Sequence, residues 1–359
     1  MKVLSVVGAR PQFVKLAPMA ESLGRLGAEH VIVHTGQHYD ANMSDVFFAD
    51  LEIPAPGVSL GIGSGSQGVQ TGAMLAALDP VLAEQRPDWV LVYGDTNSTL
   101  AGTLSAVKQH LPVAHLEAGL RSFNRAMPEE HNRVLTDHAA DLLLAPTRVA
   151  MDHLAHEGLA ARSVLVGDVM TDVCFRVRDT VDPATAPLPA GVPDEFVACT
   201  VHRAENTDDP HRLAAVLDAL AALPVAVLLL AHPRLVARCR EFGIPLDRPG
   251  SALFVGQPLP YPAMVATVLR SAGVVTDSGG LQKEAYLLAR PCTTIRSETE
   301  WVETLEDGWN VLVPQLDSLS DAVTRPAPTA AQGTPYGDGK AADRAASELL
   351  HGTPAPPHP

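Results

Sequence analysis

Two short segments place an acid immediately after an apolar run: Tyr93-Gly94-Asp95-Thr96-Asn97 and His115-Leu116-Glu117-Ala118-Gly119. A third acidic cluster follows at Met127-Pro128-Glu129-Glu130-His131-Asn132-Arg133. Carboxylates at the carboxyl ends of neighbouring parallel strands stand where open α/β sheets bind ligands. Acids gathered there can take protons from a bound substrate and return them. Either acid alone reads as a helix cap or a surface charge. Asp95 and Glu117 together, each closing a strong apolar run, read as catalytic. Glu129 follows Pro128, a good first helical residue, and lies four residues before Arg133. A salt bridge along the helix and a shared face turned to a ligand both fit that spacing.

Anion-holding groups complete the set. His202 and Arg203 follow the apolar run Phe196 to Thr200 and suit a diphosphate through charge-assisted hydrogen bonds. Asp277-Ser278-Gly279-Gly280 is a turn opening a helix, whose amides can cradle an anion. Glu284, one turn in, suits ribose hydroxyls better than phosphates. Gly8-Ala9-Arg10-Pro11 is a second such junction, where Arg10 and Lys15 add two cations. The segment Gly63 to Gly68 matches the dinucleotide fingerprint letter for letter, with Glu84 near the expected distance. It follows only a weak run, Val58 to Ile62, so a mobile Gly/Ser loop is expected instead. Tyr336 and Lys340 have the spacing of a dehydrogenase pair, but the Gly-Asp-Gly between them makes a poor helix interior. No His/Cys/Asp cluster has metal-ligand spacing, so neither a metal nor another cofactor is expected.

These residues need a frame. Apolar runs at Val3 to Val7, His30 to His34, Trp89 to Tyr93, Pro112 to His115 and Asp141 to Ala145 alternate with helical patterns. The rhythm restarts after Asp182 to Pro189, which resembles a linker or exposed connection, with Phe196 to Thr200, Val225 to Ala231, Ala252 to Val255, Gly273 to Thr276 and Cys292 to Ile295. Continuous apolar runs separated by helices indicate parallel sheets covered on both faces. At 359 residues the chain exceeds one typical core. The expected fold is α/β: two Rossmann-like, doubly wound domains facing across a cleft.

A net charge of -15 argues against nucleic acid or anionic membranes as partners. Cys174, Cys199, Cys239 and Cys292 lack paired spacing, which fits a reduced, cytoplasmic protein. The amino terminus reads as a strand and turn rather than a signal peptide, and no apolar stretch suits a membrane span.

In this order, the motifs resemble the non-hydrolysing UDP-N-acetylglucosamine 2-epimerase family. The matching segments are Gly8 to Pro11, Gly36 to His38, Gly94 to Thr96, His115 to Arg121, Pro128 to Arg133, His202 to Asn206, His232-Pro233, Asp277 to Gly280, Thr299-Glu300 and Tyr336 to Gly339. The resemblance implies the glycosyltransferase-B arrangement. Its amino-terminal domain would span residues 1–168 and its UDP-binding domain 169–335, with a helix crossing back at 336–350 and a disordered tail at 351–359. It also implies a homodimer and a UDP-sugar substrate. The C2 proton of that sugar is not next to a carbonyl, and no nicotinamide site offers a transient ketone. Expulsion of UDP from C1 with loss of the C2 proton gives a 2-acetamidoglucal, to which UDP adds back. By this similarity Asp95, Glu117, Glu129 and His202 form the catalytic set. Arg10, Lys15, Arg133, Arg203, Ser278, Gly279, Gly280, Glu284 and Arg296 bind the nucleotide sugar.

The chain departs from the family pattern in places. Thr299-Glu300-Trp301-Val302-Glu303 replaces an Arg-Pro form, Met264 stands where an aromatic residue often packs on uracil, and the Gly63 to Gly68 loop lacks the arginine of members regulated by a second UDP-sugar. Such an allosteric site is therefore expected to be absent. The stretches Gly8 to Lys15, Gln37 to Asp45, His202 to Pro210 and Gln282 to Ala285 are most similar to a subgroup that includes UDP-2,3-diacetamido-2,3-dideoxyglucuronate 2-epimerases. That sugar is an alternative substrate, and a glycosyltransferase of the same architecture is a more distant alternative.

Overall fold

The computed structural model describes residues 1–37 and 53–352. His38 and the stretch on to Asp45 therefore lie outside the described residues, as does the Pro-rich tail from Thr353. The chain divides into one unit of Met1–Val173 with Thr334–Pro359 and a second unit of Cys174–Gly333.

In the first unit the strands are β1 (Lys2–Val7), β2 (Glu29–His34), β3 (Val58–Ser59), β4 (Trp89–Tyr93), β5 (Val113–Leu116), β6 (Leu142–Ala145) and β7 (Ser163–Leu165). Their helices are α1 (Arg10–Arg25), α2 (Gln67–Gln85), α3 (Asn97–Lys108), α4 (Pro128–Ala139), α5 (Arg148–His156) and α6 (Val169–Thr180). The strands form a parallel sheet in the order β3-β2-β1-β4-β5-β6-β7. Alternation along β1 shows why both faces are covered. Val3 and Val7 pack with Phe13, Leu16, Met19 and Leu23 of α1. Leu4 and Val6 point the other way, onto Met74, Leu78 and Leu82 of α2. Each such side chain contributes about 1.5–3 kcal/mol on full burial.

The second unit repeats the plan with β8 (Phe196–Thr200), β9 (Ala226–Leu230), β10 (Leu253–Gly256), β11 (Gly273–Thr276), β12 (Cys292–Thr294) and β13 (Asn310–Leu312). Its helices are α7 (Ala204–Thr207), α8 (Pro210–Ala221), α9 (Pro233–Phe242), α10 (Tyr261–Arg270), α11 (Gly279–Leu287) and α12 (Leu319–Val323). The strand order is β10-β9-β8-β11-β12-β13, all parallel. Both orders are those of the doubly wound dinucleotide fold.

The last helix, α13 (Ala341–His351), belongs to the first unit. Its first turn is capped by Asp172, which accepts from the amides of Ala341 at 2.9 Å and Ala342 at 2.7 Å. Trp89 Nε1 donates to the Leu349 carbonyl near its other end, at 3.0 Å.

The segment Asp182 to Pro189 is a connection within the second unit rather than a link between units, with Asp182, Ala184, Thr185 and Pro187 exposed. The unit boundary falls earlier, inside α6. Pro183–Thr185 form a short 3-10 turn, Ala186 is buried, and Leu188 packs on the apolar cluster around Phe196. Its prolines rigidify a docked strap.

Candidate functional site

Both sheets reverse their winding between a first strand and its neighbour, at β1/β4 and at β8/β11. Loops leaving the carboxyl ends there are free of covering helices, which is why such points gather ligands.

In the first unit Asp95 leaves β4 and Glu117 leaves β5. Gly94 has φ +62°, and a Cβ on it would lie 3.1 Å from Glu117 Oε2 and 3.4 Å from Lys15 Nζ. Glu117 itself has φ +74°. For a residue with a side chain that left-handed conformation costs about 1–2 kcal/mol and persists only where its surroundings hold it. Lys15 of α1 supplies part of the hold through a direct ion pair with Glu117. Burial disfavours the Lys15 ammonium, yet Glu117, aided by Asp168 and Asp95, keeps its pKa above the ordinary lysine value.

Asp95 pairs with Arg133 of α4. Arg133 also donates to Glu130 at 2.6 Å, and Glu130 accepts from the Ser122 amide, the Ser122 hydroxyl and the Phe123 amide at 2.9 Å each. Burial pushes the Glu130 carboxyl up, but these bonds and Arg133 hold it below the usual range. The spacing allowed a Glu129–Arg133 bridge, and the structure replaces it with Glu130–Arg133. Glu130 is the acid on the buried face of α4, only 5% exposed. Glu129 is half-buried and makes no hydrogen bond or ion pair among the described residues.

Further residues fix the loops, and the motifs did not reveal them. Gln12 accepts from the Gly8 and Ala9 amides at 2.8 and 3.0 Å and donates to the Tyr93 carbonyl at 3.0 Å, tying the exits of β1 and β4. Asn132 donates to the Asp95 carbonyl at 2.9 Å. A usable signal lay in His115, a polar ring inside the buried strand β5, since such a ring must find partners.

The second unit is organised by Asp277, which is wholly buried at the end of β11. It accepts from the His202 amide at 3.0 Å, the Arg203 amide at 2.9 Å and Asn206 Nδ2 at 3.1 Å. His202 Nδ1 lies 3.3 Å from the same carboxylate, and its ring lies 4.9 Å from that of His232, tilted by 32°. Burial, His232, Arg203 and Arg234 pull His202 below its ordinary pKa against the opposing effect of Asp277. Ser278 caps α11 through the Leu281 amide at 3.4 Å. At the same helix start, Glu300 binds Arg296 at 2.9 Å and lies 3.5 Å from Arg203. A Cβ on Gly279 would come within 2.3 Å of the Glu300 carboxylate. Burial raises the Glu300 pKa, but Arg296, helped by Arg203, brings it below the usual range.

Two clusters therefore form, each within its own unit. Lys15, Asp95, Glu117 and Arg133 meet in the first, with Glu129 on the helix that carries Arg133. His202, Arg203, Ser278, Gly279 and Arg296 meet in the second, around Asp277 and Glu300, with Gly280 in the first turn of α11. Glu284 lies one turn further along α11, with Tyr261 and Cys174 within its electrostatic reach. Arg10 opens α1, but its side chain lies outside the described residues. Among the described residues no three His, Cys, Asp or Glu side chains are grouped to hold a metal ion. No helix among them is long and apolar enough to cross a membrane.

Two doubly wound α/β units, one with Asp95 and Glu117 clustered at its strand ends and one with His202, Arg203 and Ser278 around Asp277, define the class by fold. The family model described as UDP-N-acetylglucosamine 2-epimerase matches residues 22–350. A UDP-2,3-diacetamido-2,3-dideoxy-D-glucuronate 2-epimerase of Pseudomonas aeruginosa is 45% identical in an alignment that covers 97% of this chain and 99% of that protein. The crystal structure of the Methanocaldococcus jannaschii UDP-GlcNAc 2-epimerase in complex with UDP-GlcNAc and UDP superimposes with a TM-score of 0.86 at 37% identity, covering 98% of this chain and 100% of that one. The Neisseria meningitidis enzyme bound to UDP-GlcNAc gives 0.84 at 27% identity, covering 98% and 100%. The chain belongs to the UDP-N-acetylglucosamine 2-epimerase family and is an isomerase.

Proposed function

We propose that this epimerase interconverts UDP-N-acetylglucosamine and UDP-N-acetylmannosamine by eliminating UDP and adding it back through a 2-acetamidoglucal. The observation that carries the reading is the ion-paired placement of Asp95 and Glu117 on adjacent strand ends, with Glu117 held in a left-handed conformation. Proton removal from C2 and return to its opposite face need acid/base groups on both sides of one carbon. Asp95, Glu117 and Glu129 would supply them. Expelled UDP must be kept in place, which His202, Arg203, Ser278, Gly279, Gly280 and Arg296 would do, with Arg10, Lys15 and Arg133 adding positive charge and Glu284 binding ribose. Oriented amides and cations stabilise a leaving diphosphate most where water is excluded. His202, with a pKa held low, fits a neutral ring that hydrogen-bonds the diphosphate.

A second substrate has a specific observation behind it, the 45% identity to the P. aeruginosa diacetamido-glucuronate enzyme. Supplying UDP-N-acetylglucosamine and UDP-2,3-diacetamido-2,3-dideoxyglucuronate together to one preparation decides between them. The first reading expects C2 epimerisation of the first sugar at a kcat/KM at least tenfold higher, and the reverse preference would replace it with the second. A homodimer in the cytoplasm belongs to the same proposal, supported by the family resemblance and the unpaired buried thiols. Light scattering at assay concentration tests the dimer.

A further inference from the structure

His115 and Asp137 lie behind the three carboxylates, and both side chains are wholly buried. Asp137, on α4, accepts on Oδ2 from Arg121 at 2.7 Å and the Gly119 amide at 3.0 Å, and its Oδ1 lies 2.6 Å from His115 Nδ1. The Arg121 guanidinium and the amide hold this carboxyl ionised, so the His115 nitrogen facing it donates. The other ring nitrogen, Nε2, lies 2.7 Å from the Gly94 carbonyl, which can only accept. The ring therefore donates from both nitrogens, and an imidazole can do so only as the cation. Arg121 extends the network outward to Glu157, at 2.8 and 2.7 Å, and His138 touches Glu157 at the surface, at 3.2 Å. Burial alone would push the Asp137 carboxyl up, and His115 and Arg121 outweigh it to hold it below the usual range.

The placement of this pair explains its burial. Gly94 immediately precedes Asp95, Gly119 follows Glu117 by two residues, and α4 carries Glu129. Gly119 has φ +83°, and a Cβ on it would meet the Ala150 carbonyl at 2.5 Å, so the loop depends on a bare backbone held from behind.

We propose that His115 is a positioning residue: its doubly protonated ring, paired with Asp137, locks the β4 loop, the β5 loop and α4 together and so sets the mutual geometry of Asp95, Glu117 and Glu129. The proposal rests on the epimerase reading for its kinetic consequence, but the state of the ring can be observed without it. A buried ion pair is costly to desolvate, and fixing one arrangement among alternatives is the best-attested return on that cost. His115→Asn keeps a donor to Asp137 and loses the bond to Gly94, while His115→Phe loses both.

The test joins ring ¹⁵N–¹H spectroscopy of histidine-labelled protein at assay pH with kinetics of the variants. Expected are two nitrogen-bound protons on His115 in the wild type. For His115→Asn, kcat should fall about 10–100-fold, with KM and UDP affinity within about threefold. His115→Phe should lose more kcat or fail to fold. A ring with a single N–H, wild-type kcat in His115→Asn, or kcat and UDP affinity falling in parallel would each overturn the proposal. An inactive wild type whose ring still carries two N–H groups would sink the epimerase reading while leaving the brace in place.

Discussion

The two clusters handle charge in opposite ways. In the first unit each acid proposed for chemistry is matched by a cation or left open: Lys15 for Glu117, Arg133 for Asp95, and no partner among the described residues for Glu129. In the second unit the buried acid faces inward. Asp277 gathers backbone amides and an asparagine, while His202 and Arg203 keep about a third of their side chains exposed. One site positions acids and the other positions donors. The two sheets share one winding order, so the contrast lies in the loops that follow the strands.

That contrast can be broken at several points, and the largest expected effect is on turnover. Asp95→Asn or Glu117→Gln should lower kcat by about three orders of magnitude or more while UDP affinity stays within a few-fold, as steady-state kinetics and calorimetry would show. Equal losses in both would mean that the first unit binds rather than catalyses. Asp277→Ala should act the other way. Leaving its buried donors unpaired should cost about 3–5 kcal/mol of stability in denaturant titrations and abolish measurable UDP binding.

A pH dependence comes next. His30 hydrogen-bonds Ser5 at 2.8 Å, and burial lowers its pKa from 6.5 to about 4. The unfolded ring therefore takes its proton first as the pH falls. Its contribution is fully present above pH 6.5 and is lost as the pH drops toward 4. The loss is at most about 3 kcal/mol, and His30→Gln should flatten that part of the stability profile. Gly94→Ala is the mildest in stability, costing about 1–2 kcal/mol for the φ imposed on a side chain. Its new methyl group presses on Glu117 and Lys15, so kcat should fall more than stability predicts.

Much of this was legible from residue order. β1, β4, β5, β8 and β11 announce themselves as mainly apolar runs because both faces of a parallel sheet are covered. The short strands β3, β7 and β13 do not, since two or three residues carry no period. Asp95, Glu117, His202 and Ser278 stood out by position, at the ends of such runs. Glu130, Gln12, Asn132 and the His115–Asp137 pair did not, because their roles lie in bonds across the fold. Gln12 reaches a carbonyl 81 residues away and His115 a carboxylate 22 residues away. Which of two adjacent glutamates faces inward is likewise set by how α4 seats on its neighbours, and sequence spacing left it open.

On the proposed function, the first unit moves the C2 proton of a nucleotide sugar while UDP leaves and returns. Incubating the enzyme with UDP-N-acetylglucosamine in deuterium oxide, and following the sugar by mass spectrometry and proton NMR, tests this most directly. Expected are one deuterium at C2 in both epimers, traces of free UDP and 2-acetamidoglucal, and no exchange by Asp95→Asn. Epimerisation without solvent deuterium at C2, or sugar transfer to an acceptor with C2 untouched, would contradict it.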